Sequence, residues 1–172
     1  VHALGFVNRG FDTYFAPVGV SLKDSTCVDC GQCATHCPVA AIYEKVDTKE
    51  VMDALDNPDI YVTVQMAPSV RVALGEYFGL KAGDNITGKI YAAMRLLGFD
   101  AIFDTNFGAD MTIVEEANEF VKRFTESNGT AVMTTSCCPA WVKYIEEYYP
   151  DLLDNVSTSK SPHMMLAPMV KT

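Results

Sequence analysis

The spacing of apolar and polar positions divides the chain into two parts. In residues 1–26, short apolar patches alternate with glycine and proline, which predicts hairpins and turns. Residues 48–55 repeat apolar side chains at helical spacing and are followed by Pro58, which predicts a short helix. We therefore predict a small, loop-rich first domain over residues 1–58.

Strand-like and helix-like segments alternate in the rest of the chain, from residue 59 to residue 172. The predicted strands are residues 61–66, 101–103 and 131–134, and the predicted helices are residues 68–78, 86–97, 111–124 and 139–149. Asp110 is the expected N-cap of the third helix, and Pro139 the expected first residue of the fourth. Repeated alternation favours an α/β lobe with a parallel sheet flanked by helices.

Composition and charge exclude several functional classes. Of 172 residues, 49% are hydrophobic, which indicates a packed rather than a disordered chain. A net charge of −9 predicts that the chain binds no nucleic acid. No apolar run reaches the roughly 20 residues that span a bilayer, so no membrane segment is expected. The two ends lack the features of natural termini, and we expect a piece of a longer, cytoplasmic protein.

Four of the six cysteines lie within eleven residues. Cys27, Cys30, Cys33 and Cys37, with Pro38 after the last, have the C-x-x-C-x-x-C-x-x-x-C-P spacing of bacterial ferredoxins. Three thiolates at this spacing can surround one [4Fe-4S] cluster, and the fourth ligates a second cluster. Zinc or structural thiols are the alternatives, but a zinc site expects a second ligand pair at longer distance. The segment therefore predicts an iron–sulfur site in a partial two-cluster ferredoxin-like domain.

This ligand set is incomplete within the chain. Cys27, Cys30 and Cys33 need a fourth thiolate from a partner motif, and Cys37 needs three companions, but no second such motif is present. We expect the missing ligands to come from polypeptide before Val1 or from a companion subunit. The 172 residues alone are then expected to hold the cluster poorly.

The other two cysteines, Cys137 and Cys138, are adjacent, between a predicted strand and the helix that starts at Pro139. Their Cα atoms are about 3.8 Å apart, closer than the roughly 4.4–6.8 Å of disulfides, so they should not bridge each other. The carboxyl ends of parallel strands usually form the ligand crevice. A thiol at a helix N-terminus suits a metal ligand or a proton carrier. A pair of buried small residues is the other interpretation.

Several segments together resemble [FeFe] hydrogenases. The segments, in the order of that family, are Met66–Arg71, Thr87–Lys89, Phe107–Thr112, Thr135–Trp141 and Ser159–Pro162. The resemblance covers nearly the whole chain and includes the ferredoxin motif. It implies that the parent protein interconverts protons and electrons with H2. A nuclear, eukaryotic group of relatives shares some of these motifs without hydrogen chemistry.

The same resemblance implies specific roles for single residues. Cys138 would ligate the [4Fe-4S] part of the active-site cluster, and Cys137 would be the thiol that passes protons to and from its binuclear iron part. The side chains that would line the binuclear site are those of Ala67, Pro68 and Ser69. The other ligands of this cluster belong to family signatures that these 172 residues do not contain.

A proton path is also implied by the resemblance, over Glu116, Glu119, Ser157 and Cys137. Helical spacing alone gives a different expectation. It puts Ile113, Ala117, Phe120 and Phe124 on one stripe and leaves the glutamates in solvent. A carboxylate, a hydroxyl and a thiol in series can pass a proton if each lies about 3 Å from the next or from a shared water.

The sequence therefore predicts part of an [FeFe] hydrogenase that receives electrons through [4Fe-4S] clusters from a ferredoxin or another low-potential electron carrier. Two alternatives belong to other classes. One is a redox or hydrogen sensor that signals through an appended domain, and the other is an electron-transfer module in which residues 59–172 are a scaffold. The retained Cys137 favours turnover, since sensory relatives often replace it.

Overall fold

A computed structural model describes residues 2–19 and 21–171. Val1, Val20 and Thr172, which belong to the two predicted domains, lie outside the described residues. The described chain forms two compact units. Unit one comprises residues 2–44 and 132–157, and unit two comprises residues 45–131 and 158–171. The domain boundary near residue 58 stays a prediction.

Four strands and seven α-helices form the described chain, with short 3-10 helices at Gly10–Asp12 and Pro150–Asn155. In chain order they are β1 (Leu4–Val7), β2 (Tyr14–Pro17), α1 (Gln32–Thr35), α2 (Thr48–Leu55), β3 (Thr63–Met66), α3 (Val70–Tyr77), α4 (Thr87–Leu97), β4 (Ala101–Asp104), α5 (Thr105–Glu126), α6 (Pro139–Tyr148) and α7 (Pro162–Val170).

Most of the predicted elements are confirmed. In unit one, β1 and β2 form the expected antiparallel hairpin. In unit two, α2 has the predicted limits. Helix α4 ends at Leu97 and is followed by Gly98, whose φ of 99° is in the left-handed region that favours glycine. The helix expected from Pro68 begins two residues later, at Val70, after a turn in which the Val70 N–H donates to the Ala67 carbonyl (3.2 Å).

A parallel pair of strands, β3 and β4, forms the sheet of unit two. Their register pairs Thr63 with Ala101 and Met66 with Asp104. Met66 is fully buried and packs with Ile86 and Ile90, so the sheet and the N-terminal half of α4 form the core of this unit. The fold class, an α/β lobe with a small parallel sheet and helices, is as predicted.

The strand predicted at residues 131–134 is wrong. Unit one has only one isolated parallel bridge there, between Thr134 and Val156. Thr134 accepts from the Ser157 N–H (2.7 Å) and donates its own N–H to the Asn155 carbonyl (2.8 Å). The composition of residues 131–134 favours a strand, but a strand also needs a partner segment to pair with. Here the partner segment leaves a 3-10 helix and offers only one pairing position, at Val156.

The N-cap predicted at Asp110 is also wrong. Helix α5 begins at Thr105, and the Asp104 carboxylate accepts from the Asn106 N–H (2.9 Å). Gly108 does not interrupt the helix, because it lies against α7, where a Cβ would overlap the Pro162 carbonyl oxygen. Close packing of α7 therefore extends α5 by six residues beyond its predicted start.

Asp104 also joins β4 to α3. Arg71 Nη2 donates to Asp104 Oδ1 at 2.8 Å, and both side chains are largely buried. Burial alone would raise the pKa of Asp104. Hydrogen bonds from the Asn106 N–H and from Arg71 outweigh burial and hold this pKa below its usual value.

Asp104→Ala is expected to lower the free energy of unfolding by about 1–3 kcal/mol, since it removes a helix cap and a charged hydrogen bond. Because the folded-state pKa of Asp104 is lowered, this contribution is complete above the unfolded pKa and is lost as pH falls through the folded value. Urea unfolding at neutral and acidic pH measures it. The matched control is Asp110→Ala, with little change. An equal loss for both variants would contradict the assignment.

Candidate functional site

The cysteine segment of unit one forms a loop with two left-handed residues. Asp29 has a φ of 54° and Gly31 a φ of 73°. Gly31 precedes the single turn of α1, which carries Cys33. Such conformations turn the backbone sharply within a few residues, as a loop around a compact metal cluster requires. All four cysteines are free thiols; Cys30 and Cys33 are exposed.

Backbone N–H groups point at two of these sulfurs. The Asp29 N–H donates to Cys27 Sγ (3.4 Å), and the Ala41 N–H donates to Cys37 Sγ (3.3 Å). Backbone hydrogen bonds, first from Val39 and then from Ile42 and Ala41, lower the pKa of Cys37. A low thiol pKa favours the thiolate, which is the form that ligates metals.

The donor set therefore fits an iron–sulfur cluster in its chemistry. Cysteine thiolates are the ligands that hold [4Fe-4S] clusters, and hydrogen bonds to their sulfurs help to tune the cluster. Within residues 2–19 and 21–171, no three Cys, His, Asp or Glu side chains are close enough together to hold a metal ion. Convergence of these thiols on one cluster is thus a proposal. His36 is exposed, and its Nδ1 contacts the Gln32 carbonyl (3.0 Å).

Cys137 and Cys138, also in unit one, lie where α6 begins. Cys138 is the N-cap residue of α6, and Pro139 is in its first turn as predicted. Both thiols are free and exposed in this chain. Cys137 Sγ lies 3.8 Å from Thr135 Oγ1. The segment is anchored by Trp141, whose Nε1 donates to Thr134 Oγ1 (3.4 Å).

The predicted cofactor-lining residues of unit two follow the end of β3. Ala67, Pro68 and Ser69 are all exposed, and Ser69 is the residue before α3. Because Met66 is buried in the core, the turn after it is fixed at the carboxyl end of a parallel strand. This is the end at which α/β sheets bind their ligands.

Glu119 is held by a set of contacts on the polar side of α5. Its Oε1 lies 2.6 Å from Arg123 Nη2, and its side chain is only 16% exposed. Thr158 donates twice to the carboxylate, from its N–H (3.1–3.2 Å) and from Oγ1 (3.1 Å). An open hollow of about 500 Å³ borders it, lined in part by Lys122 and Ser159. Periodicity wrongly placed Glu119 in solvent.

Two further residues of the predicted proton path are also shielded from water. Glu116 is half-buried, and its Oε1 is buried without a hydrogen-bond partner in the described part of the chain. Ser157 is buried, and its N–H is bonded to Thr134. The two glutamates belong to unit two, and Ser157 and Cys137 belong to unit one. A path that joins them stays a prediction.

The apolar stripe of α5 is exposed to solvent, unlike the carboxylates of the same helix described above. Ile113 is 64% exposed, and Phe120 and Phe124 are exposed as well. The buried residues of α5 are Thr105, Gly108 and Thr112, and Thr112 Oγ1 donates to the Gly108 carbonyl (2.9 Å). In unit two, α7 thus covers the small, polar side of α5 and leaves the apolar stripe open.

Comparison with protein families identifies the chain. Residues 60–172 match the family described as iron only hydrogenase large subunit, C-terminal domain. Residues 22–43, which include the four clustered cysteines, match the 4Fe-4S binding domain. The chain belongs to the iron-only hydrogenase large-subunit family. The predicted family and its iron–sulfur motif are thereby confirmed.

Hydrogenases of known name are similar over nearly the whole chain. It is 48% identical to the NADP-reducing hydrogenase subunit HndD of Solidesulfovibrio fructosivorans over 98% of its length, and 50% identical to iron hydrogenase 1 of Clostridium pasteurianum over 99%. It spans 30% of the length of each of these relatives. The apo [FeFe]-hydrogenase HydA1 from Chlamydomonas reinhardtii has a TM-score of 0.68 and 44% identity, over 74% of this chain and 33% of that one.

A more distant relative has a different name. The cytosolic iron-sulfur assembly component 3 of Rattus norvegicus is 29% identical over 88% of this chain, which covers 33% of that protein. The chain is thus also similar to a protein named for iron–sulfur assembly. No helix within residues 2–19 and 21–171 is long and apolar enough to cross a membrane.

Sequence reasoning did not find the residues that support these sites. Arg123 and Thr158 hold Glu119, and Lys143 pairs with Asp29 inside the cysteine motif (2.8 Å). The spacing from Glu119 to Arg123 is a helical i,i+4 pair and could have been found. The other two contacts join residues 39 and 114 positions apart, for which one sequence gives no signal.

Proposed function

We propose that this chain forms the accessory-cluster loop and the first catalytic lobe of an [FeFe] hydrogenase that interconverts protons and electrons with H2. The observation that carries the proposal is the pair of free, exposed thiols Cys137 and Cys138 at the start of α6, in a chain of the iron-only hydrogenase family. The relatives named as hydrogenases support it through their identity of 48–50%.

Each part of the site has a role in this proposal. A binuclear iron cluster linked to a [4Fe-4S] cluster supplies the redox chemistry when bound. Cys138 would hold that assembly, Ala67, Pro68 and Ser69 would line it, and Cys137 Sγ would hold the proton nearest to it. The loop of Cys27, Cys30, Cys33 and Cys37 would hold the clusters that relay electrons.

Protons would enter at Glu119, beside the surface hollow, and pass over Glu116 and Ser157 to Cys137. Support comes from burial, since Glu119 is mostly covered and Glu116 has a buried oxygen that needs a hydrogen-bond partner. A water or a neighbouring donor at that oxygen would connect it to the next group. Separate routes for electrons and protons suit a reaction that consumes both and yields a neutral product.

The partners and the compartment follow from this chemistry. A ferredoxin or another low-potential carrier would deliver the electrons, and further polypeptide, from the same chain or a companion subunit, would supply the missing cluster ligands. We place the protein in the cytoplasm, where thiols stay reduced. The 172 residues alone should be inactive, because one of four ligands does not retain the active-site cluster.

Glu119→Gln tests the proton route in the complete, cluster-loaded enzyme. The amide keeps the shape of the side chain and cannot pass on a proton, so H2 turnover should fall about 10²-fold or more. Turnover with an artificial electron donor, in H2O and in D2O, measures it. Glu115→Gln, on the same hollow but exposed, is the matched control and should keep its activity. Equal activity of both variants would remove Glu119 from the route.

A second candidate is a role in iron–sulfur assembly without H2 turnover, favoured by the similarity to the cytosolic assembly component. The two functions differ in one measurement. A cluster-loaded protein of the first kind turns over H2 with reduced methyl viologen, and one of the second kind does not. The lower identity of 29% makes this candidate the weaker one.

A further inference from the structure

An ion pair joins the cysteine loop to the helix of the catalytic cysteines within unit one. Lys143 Nζ, on α6, lies 2.8 Å from Asp29 Oδ2. The Lys143 side chain is 31% exposed and the Asp29 side chain 57%. Lys143 lies little more than one helical turn after Cys138, and Tyr148 on the same helix donates to the Thr26 carbonyl (3.5 Å). The loop thus has two contacts with α6.

Asp29 lies directly beside the sulfur of Cys27. It lies between Cys27 and Cys30 in a left-handed conformation. Its N–H donates to Cys27 Sγ (3.4 Å), and its Oδ1 lies 3.5 Å from that sulfur. Its other carboxylate oxygen, Oδ2, faces the Lys143 ammonium at 2.8 Å, so Asp29 connects the Cys27 sulfur to α6.

A carboxylate in this place affects the charge balance of any cluster bound there. Reduction of an iron–sulfur cluster adds negative charge, and nearby net charge helps to set its reduction potential. Asp29 alone opposes reduction, and the Lys143 ammonium offsets it at close range. Glu147, one turn further along α6, is a second negative charge that interacts with Lys143.

We propose that the Asp29–Lys143 ion pair positions the accessory-cluster loop on α6 and sets the reduction potential of the cluster bound by Cys27, Cys30 and Cys33. This inference rests on the proposed function, since it requires that cluster. Lys143 and Asp29 are positioning residues that act through the loop. The pair is partly exposed, so its electrostatic effect is also expected to weaken as salt is raised.

The test is a redox titration of the [4Fe-4S] signals by electron paramagnetic resonance in the complete, cluster-loaded protein. Lys143→Gln leaves the carboxylate unbalanced and should shift the potential of this cluster to more negative values. Asp29→Asn leaves the ammonium unbalanced and should shift it to more positive values; asparagine also tolerates the left-handed conformation. The double variant should return close to the parent potential. Lys143→Arg should keep it.

A second measurement follows the release of iron to a chelator, which reports how firmly the loop is held. Both single variants should release it faster, by up to about fivefold for a partly exposed pair. The matched control is the exposed Lys49–Asp53 pair of α2, which contacts no cysteine in the described chain. Neutral variants of that pair should change neither the potential nor the release rate.

Three results are decisive in different ways. Single variants that shift the potential in opposite directions support the proposal. Single variants that shift it in the same direction, or leave it unchanged, overturn the proposal while the cluster itself stays established. If no [4Fe-4S] signal of the parent is removed by Cys30→Ser, the proposed function of the loop fails, and this inference with it.

Discussion

Replacing Cys137 by alanine is expected to reduce H2 turnover about 10²–10⁴-fold in the complete, cluster-loaded enzyme. This is the usual range for the loss of a positioned proton donor. The structure leaves this thiol free and exposed at the start of α6, with Thr135 Oγ1 3.8 Å from its sulfur. Turnover in both directions, with the iron content determined on the same sample, measures the effect.

Cys138→Ala is the informative comparison, because the two residues are adjacent and differ in the role proposed for them. Its expected defect is loss of the active-site cluster, seen as a lower iron content, whereas Cys137→Ala should keep its iron. If Cys137→Ala turns over H2 at the parent rate, the thiol is not the proton carrier. A parent protein that binds its clusters but turns over no H2 would instead favour the electron-transfer module, with residues 59–172 as its scaffold.

Cys30→Ser is expected to abolish the [4Fe-4S] cluster of the first loop, since a cluster of this type needs its thiolate ligands. Iron analysis and the electron paramagnetic resonance spectrum of the reduced protein measure this loss. Electron delivery to the active site should fall with it, while the binuclear site stays assembled. Infrared spectroscopy of that site in the same sample separates the two effects.

His36→Asn is the control for this experiment. His36 is exposed next to Cys37 and would be a ligand only in a zinc site of mixed cysteine and histidine composition. We expect this variant to keep the iron and the spectrum of the parent. A protein that binds zinc and loses it when His36 is replaced would contradict the iron–sulfur assignment.

The helices were the most predictable part of the fold. Helix α2 has its predicted limits, and α6 starts at Pro139 as expected, because the signals that determine them are local in sequence. The start of α5 was not predictable in this way. Asp104 and Asp110 are both acceptable caps, and the packing of α7 against Gly108 favours the earlier one.

The candidate site shows the same division between local and distant information. Cysteine spacing alone identifies the iron–sulfur motif, since the ligands of one loop are close in sequence. The environment of Glu119 required the structure, because Thr158, 39 residues away, provides its hydrogen bonds. Periodicity failed there since it assumes that the apolar side of a helix is the buried one, and α5 buries its small residues instead.

The sequence by itself determined the family, the cysteine motif and most of the helices. These depend on residue types and on contacts between neighbours along the chain. Only the tertiary structure decided that residues 131–134 form a single bridge, that Glu119 is covered, and that Lys143 reaches Asp29. Each of these features is a contact between segments that are distant in sequence. Such a contact forms only when the folded chain brings the two segments together, so no local sequence pattern predicts it.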